Sequence, residues 1–147
     1  MKTSEIGLNL IKHYEGFYSK PYRCPAGLYT VGYGHLIGSG LSLPDNWNRP
    51  FSIGEIDELL KRDLVRFEQG VLRYITVPLN QYKFDALVSF SFNLGLGNLQ
   101  RSKVRQKINR GNIAGAITSL LKYNKGGGKV LKGLVLRRKD EAVLLGK

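Results

Sequence analysis

One short stretch interrupts an otherwise helical pattern, and that interruption limits the fold more than any other feature of the chain. Over Leu28-Tyr-Thr-Val-Gly-Tyr-Gly-His35, β-branched and aromatic residues alternate with glycine. This texture suits short strands and tight turns. Pro25-Ala-Gly27 just ahead reads as a turn, so the region from Phe17 to Pro50 predicts a small antiparallel sheet of two or three strands. On either side, apolar residues recur at helical spacing. Ile6, Leu10, Ile11 and Tyr14 mark a first helix over 4–14, with Thr3 or Ser4 as its N-cap and Gly16 as its stop. Ser52-Ile-Gly-Glu55 is a capping box. It opens a long helix over 53–74 whose buried face is Ile56, Leu59, Leu60, Leu64 and Phe67. The segment 81–94 is apolar on most sides, which predicts the central helix of a helical lobe. Shorter helices are expected over 102–110, 112–123 and 134–145, with Asn124-Lys-Gly-Gly-Gly-Lys129 as a flexible basic loop. The expected class is α+β, mostly α, in a single domain over 1–147. A β-containing lobe at 16–52 is joined by the connecting helix 53–74 to a helical lobe at 75–147, which takes in the first helix, with a cleft between the lobes.

Charge narrows the partners. The net charge is +12 and it is lopsided. Residues 1–74 hold nine Lys/Arg against eight Asp/Glu, whereas 75–147 hold fourteen against three, with no acid between Asp85 and Asp140. A one-sign field of this kind attracts polyanions. Candidates are nucleic acid, anionic lipid and the anionic polymers of a bacterial envelope. The single cysteine, Cys24, rules out an intrachain disulfide and suits a reducing compartment. Asn9 and Lys12 break the apolar run near the N-terminus, so it does not read as a signal peptide, and no later stretch is long enough to span a bilayer. With two histidines and one cysteine, metal-ligand clustering is absent, and no cofactor is expected.

Three polar residues stand out as candidate chemistry: Glu15 at a helix end, Cys24 before a turn, and Thr30 on the following strand. A helix C-terminus disfavours an ionised carboxylate. Cleaving a glycosidic bond without a metal needs an acid that protonates the leaving oxygen, and a second group that activates water or attacks the sugar. The spacing Glu15, eight residues, Cys24, five residues, Thr30, followed by Gly32-Tyr-Gly-His35, resembles the phage lysozymes, or endolysins, of glycoside hydrolase family 24. Similarity continues through Phe90-Ser-Phe-Asn-Leu-Gly95, Asn124-Lys-Gly-Gly-Gly-Lys-Val-Leu131 and Gly133-Leu-Val-Leu-Arg-Arg138, covering nearly the whole chain in order.

The resemblance implies a lysozyme-like fold and hydrolysis of the β-1,4 bond between N-acetylmuramic acid and N-acetylglucosamine of bacterial peptidoglycan. It makes Glu15 the general acid and places Cys24 where many members have an aspartate. Thr30 holds the water or orients substrate, Gly34 and Asn93 line the saccharide cleft, and Arg137 matches an arginine that approaches the catalytic glutamate. Cys24 leaves two roles open: a thiolate acting as base or nucleophile, or a thiol that only shapes the pocket. The resemblance further implies an enzyme that accumulates in the host bacterial cytoplasm and reaches the wall once a holin opens the inner membrane; a monomer is the default for a cleft enzyme acting on a polymer.

Plainer readings stand beside these. A lone cysteine is most often a small buried hydrophobe, and a strand threonine is a common β-former. His35 reads as structural, hydrogen-bonded to an acid such as Asp57. The basic half is either a solvated surface or an attraction to anionic envelope polymers, without stable membrane insertion. Two rivals remain. A lytic transglycosylase needs only one glutamate and yields 1,6-anhydro ends. A nucleic-acid-binding module would explain the charge, but no helix-turn-helix or zinc signature supports it, and no nucleic-acid partner is expected.

Overall fold

A computed structural model describes residues 1–147. In chain order the elements are α1 (Glu5–Glu15), β1 (Tyr18–Arg23), β2 (Tyr29–Gly32), β3 (His35–Leu36), a 3-10 turn (Asp45–Trp47), α2 (Ile53–Tyr74), α3 (Gln81–Leu94), α4 (Leu96–Arg101), α5 (Lys103–Asn109), α6 (Ile113–Leu121), β4 (Lys125–Gly126), β5 (Lys129–Val130) and α7 (Lys132–Leu145). The chain divides into two units, Glu15–Val65 and Met1–Tyr14 with Arg66–Lys147.

The smaller unit is built on an antiparallel sheet of order β1-β2-β3. Tyr18 pairs with Gly32 and Tyr22 with Thr30, so β1 carries two more residues than β2 between these pairs. Pro21, which has no N–H for the ladder, falls inside that irregularity. Pro25-Ala26-Gly27 closes the first hairpin, with Gly27 N–H donating to Cys24 O at 2.7 Å and Cys24 N–H to Leu28 O at 2.9 Å. Val31, Ile37 and Phe51 pack with Ile56 and Leu59 of α2, and Tyr29, Tyr33, Leu43 and Trp47 cover this core. Gly32 permits the approach of sheet to helix, since a Cβ there would lie 2.7 Å from Ile56 Cγ2.

α2 begins where the capping box predicts. Ser52 N–H donates to Glu55 Oε1 at 3.0 Å and Glu55 N–H to Ser52 Oγ at 3.1 Å. The Arg49 guanidinium and these hydrogen bonds pull the Glu55 carboxyl down to about 2. All five residues expected on the buried face of α2 are buried.

In the larger unit α3 is the central helix, buried continuously from Phe84 to Ser91 and packed against α7. The start of the chain is tied down by buried acids: Thr3 N–H and Oγ1 donate to Glu68, and Ser4 N–H and Oγ donate to Asp85. Gly7 allows this seating, because a Cβ there would lie 2.7 Å from Asp85 Cγ.

Four expectations change. On α1 the buried residues are Gly7, Leu8 and Ile11, while Ile6 is 50% exposed. The inward stripe is rotated by about one position, because Gly7 faces Asp85. Gly95 was expected to end helical structure until 102, but its positive φ of 95° turns the chain and α4 starts at once. Six residues are too few to show a helical period. The loop at 124–129 is a β4–β5 hairpin, with Gly127 and Gly128 at φ 58° and 78° supplying the two left-handed positions of a tight turn. His35 bonds Asp63, not Asp57, with Nδ1 at 3.0 and 2.9 Å from the two carboxylate oxygens. Asp63 continues the Ile56–Leu59 stripe of α2 that faces the sheet, whereas Asp57 lies off it.

Candidate active site

Glu15 is the last residue of α1. Counting back four and seven positions reaches Ile11 and Leu8, which are 0% and 6% exposed. Helix geometry therefore turns the half-buried Glu15 toward the inward face rather than to open solvent. Gly16, at φ 77°, then reverses the chain into β1.

Thr30 sits in the middle strand, 5% exposed, paired with Tyr22 on one side and Leu36 on the other. Its Oγ1 donates to Tyr22 O at 3.4 Å. Cys24 is half-buried in the turn that leads into β2. Gly34 lies at the opposite end of β2, in the two-residue turn to β3, at φ 81°. A Cβ at Gly34 would come 3.8 Å from Glu15 Oε1. The structure thus brings Gly34 against the Glu15 carboxyl, on the same β2–β3 hairpin that carries Thr30.

Two features hold that hairpin. The His35–Asp63 pair pins it to α2, and the His35 ring stacks on Trp47 with centroids 5.7 Å apart. Phe17 and Tyr33 meet edge to face at 5.6 Å, the first next but one to Glu15 in sequence and the second next to Gly34. Sequence reasoning missed this aromatic pair, since their sixteen-residue separation becomes contact only through the hairpin. No three His, Cys, Asp or Glu side chains gather where they could hold a metal ion.

Asn93 and Arg137 belong to the larger unit. Arg137 is 2% exposed, donating to Ser89 O at 3.1 Å and to Glu141 at 3.3 Å. Asn93 Oδ1 accepts from Arg138 Nη2 at 2.7 Å. Arg138 and Glu141 are fully buried and form an ion pair at 2.8 Å. Burial pushes the Glu141 carboxyl up, against the pull of both guanidiniums and the Ser89 hydroxyl. Tyr14 donates its hydroxyl to Asp140, and burial together with that bond raises the phenol to about 12. Sequence reasoning read neither the Tyr14–Asp140 nor the Arg138–Glu141 link, because Arg-Arg-Lys-Asp-Glu looks like a solvated run.

A family model for phage lysozyme matches residues 12–141. The chain belongs to the phage lysozyme family. An endolysin of Bacillus phage B103 is 42% identical over 146 residues, which cover 98% of this chain and 54% of the relative. The chain spans about half the length of the Bacillus phage relatives it matches. Among solved structures, the muramidase domain of SpmX from Asticaccaulis excentricus superposes with a TM-score of 0.87 at 31% identity, covering 99% of this chain and 98% of that one. A mutant lysozyme of phage P22 gives a TM-score of 0.87 at 30% identity, covering 100% and 99%. The phage lysozyme fold, mostly helical with a small antiparallel sheet, is the one expected from the sequence.

Proposed function

We propose that this phage lysozyme hydrolyses the β-1,4 bond between N-acetylmuramic acid and N-acetylglucosamine in bacterial peptidoglycan, with Glu15 as general acid. The observation that carries this reading is the seat of Glu15: last in α1, on its inward stripe, with Gly34 of the β2–β3 turn beside its carboxyl. A partly buried carboxylic acid at a helix end, with a glycine turn beside it, can reach a glycosidic oxygen and protonate it as the bond breaks. Thr30 orients the water or the substrate from the adjoining strand. Cys24 acts as a thiolate base or nucleophile, or as a thiol that shapes the pocket.

By resemblance to the family, Gly34, Asn93 and Arg137 are the residues that contact saccharide. Asn93 offers its amide N–H₂, since its oxygen is committed to Arg138. Arg137 is a cation immobilised by Ser89 and Glu141. The enzyme works as a monomer and reaches the wall from the host cytoplasm after a holin opens the inner membrane. The excess of Lys and Arg beyond residue 75 draws it to anionic envelope polymers. No helix of the chain is long and apolar enough to cross a membrane.

Purified peptidoglycan digested with the enzyme is expected to yield new reducing N-acetylmuramic ends by mass spectrometry. Anhydro ends would replace hydrolysis by transglycosylation, and an undigested substrate would overturn the reading. Gly34→Ala gives a finer check. An L-residue at φ 81° is strained by roughly 1–2 kcal/mol, and the new methyl would stand in contact with the Glu15 carboxyl. The expected result is a modest fall in melting temperature with a loss of cleavage of about tenfold or more, the size of a small misplacement of reacting groups. A variant that melts earlier yet cleaves at the wild-type rate would show that Gly34 serves only the turn.

A further inference from the structure

The larger unit holds a pocket of about 400 Å³ lined by Arg101, Lys103, Lys107, Ser119, Lys122 and Tyr123. Four of the six residues are cationic and none is acidic. The two neutral ones are fixed in place: Ser119 is 4% exposed and accepts a hydrogen bond from Lys107 Nζ at 2.9 Å, and the Tyr123 ring packs edge to face on buried Phe90 at 5.1 Å. Lys107 is thereby aimed by a buried hydroxyl rather than left to wander. The acids between residues 66 and 147 are engaged elsewhere: Glu68 with Thr3, Asp85 with Ser4, Asp140 with Tyr14, and Glu141 with Arg137 and Arg138. No ion pair joins any of the pocket's four cations to a carboxylate. Four like charges around one concavity repel one another, and a bound anion relieves that repulsion.

We propose that this pocket binds the phosphodiester groups of a polyol-phosphate polymer of the bacterial envelope. The proposal builds on the peptidoglycan-cleaving reading, which places the enzyme among such polymers. A concave pocket lined by four cations and two hydroxyl-bearing side chains suits a single tetrahedral phosphate on a flexible chain. A rigid duplex would need cations spread along an extended face.

The test titrates poly(glycerol phosphate) into wild type, into Lys103→Gln/Lys122→Gln, and into Lys129→Gln/Lys132→Gln as a charge-matched control outside the pocket. All four lysines are exposed, so both doubles are expected to fold. The pocket double is expected to lose about tenfold in affinity, from two surface charge contacts, and the control to lose much less. Equal losses in both doubles would reduce the effect to overall charge and overturn the site. Duplex DNA bound as tightly as the polymer, with the same dependence on Lys103 and Lys122, would overturn the choice of ligand. Cleavage of peptidoglycan stripped of phosphate polymers is measured in parallel and is expected to be equal in all three proteins. Failure of wild type to cleave it would sink the enzymatic reading and leave the binding result standing.

Discussion

Glu15→Gln is expected to lower the rate of peptidoglycan cleavage about 10³-fold, within the range that removal of a general acid produces. Glutamine keeps the length and planarity of the side chain but has no acidic proton to transfer. The loss should therefore fall on kcat with little change in KM, the signature of an interaction made only as the bond breaks. The fold should persist, because the burial of α1 comes from Leu8, Ile11 and the ties of Thr3 and Ser4, none of which the substitution touches. Glu15→Asp separates chemistry from position, as it restores the acid but withdraws it by one methylene. A loss for aspartate approaching that for glutamine would show that placement by the helix end matters as much as the proton. More than a tenth of wild-type activity in Glu15→Gln would remove Glu15 from the role of acid.

Glu141→Gln is expected to have the largest effect on stability, about 3–5 kcal/mol, the usual result of stripping one partner from a buried ion pair. Glu141 and Arg138 are both 0% exposed, and Arg137 is 2% exposed. With the carboxylate gone, Arg138 loses its ion-pair partner in the interior between α3 and α7, and Arg137 loses one of the groups that hold it. Burial already lowers the proton affinity of Arg138, and the Glu141 carboxylate acts against that loss. For a domain of this size the melting temperature should fall by about 10–15 °C. A double-mutant cycle with Arg138→Gln should recover part of the loss, because the pair is then removed together. A fall of only a degree or two would mean that water reaches the triad and screens it. The same substitution should also reduce activity indirectly, since Glu141 holds Arg137 and, through Arg138, Asn93.

The sequence by itself determined most of the elements and singled out the candidate acid. The start of α2 and the end of α3 were legible because each has a local chemical mark: the Ser52–Glu55 box and Gly95. The sheet was legible from alternation over 28–35, and Glu15 from its spacing to Cys24 and Thr30. Those signals live within a few residues, where backbone sterics and capping act. The tertiary structure alone decided the rest. Which acid meets His35 depended on the register of α2 against the sheet, and only that register selects Asp63 over Asp57. The inward stripe of α1 depended on Gly7 fitting against Asp85, seventy-eight residues away. Arg137, Arg138 and Glu141 look like a charged surface in one dimension and are a buried network in three. Burial is a property of what packs against a helix, and no pattern within the helix itself carries that information.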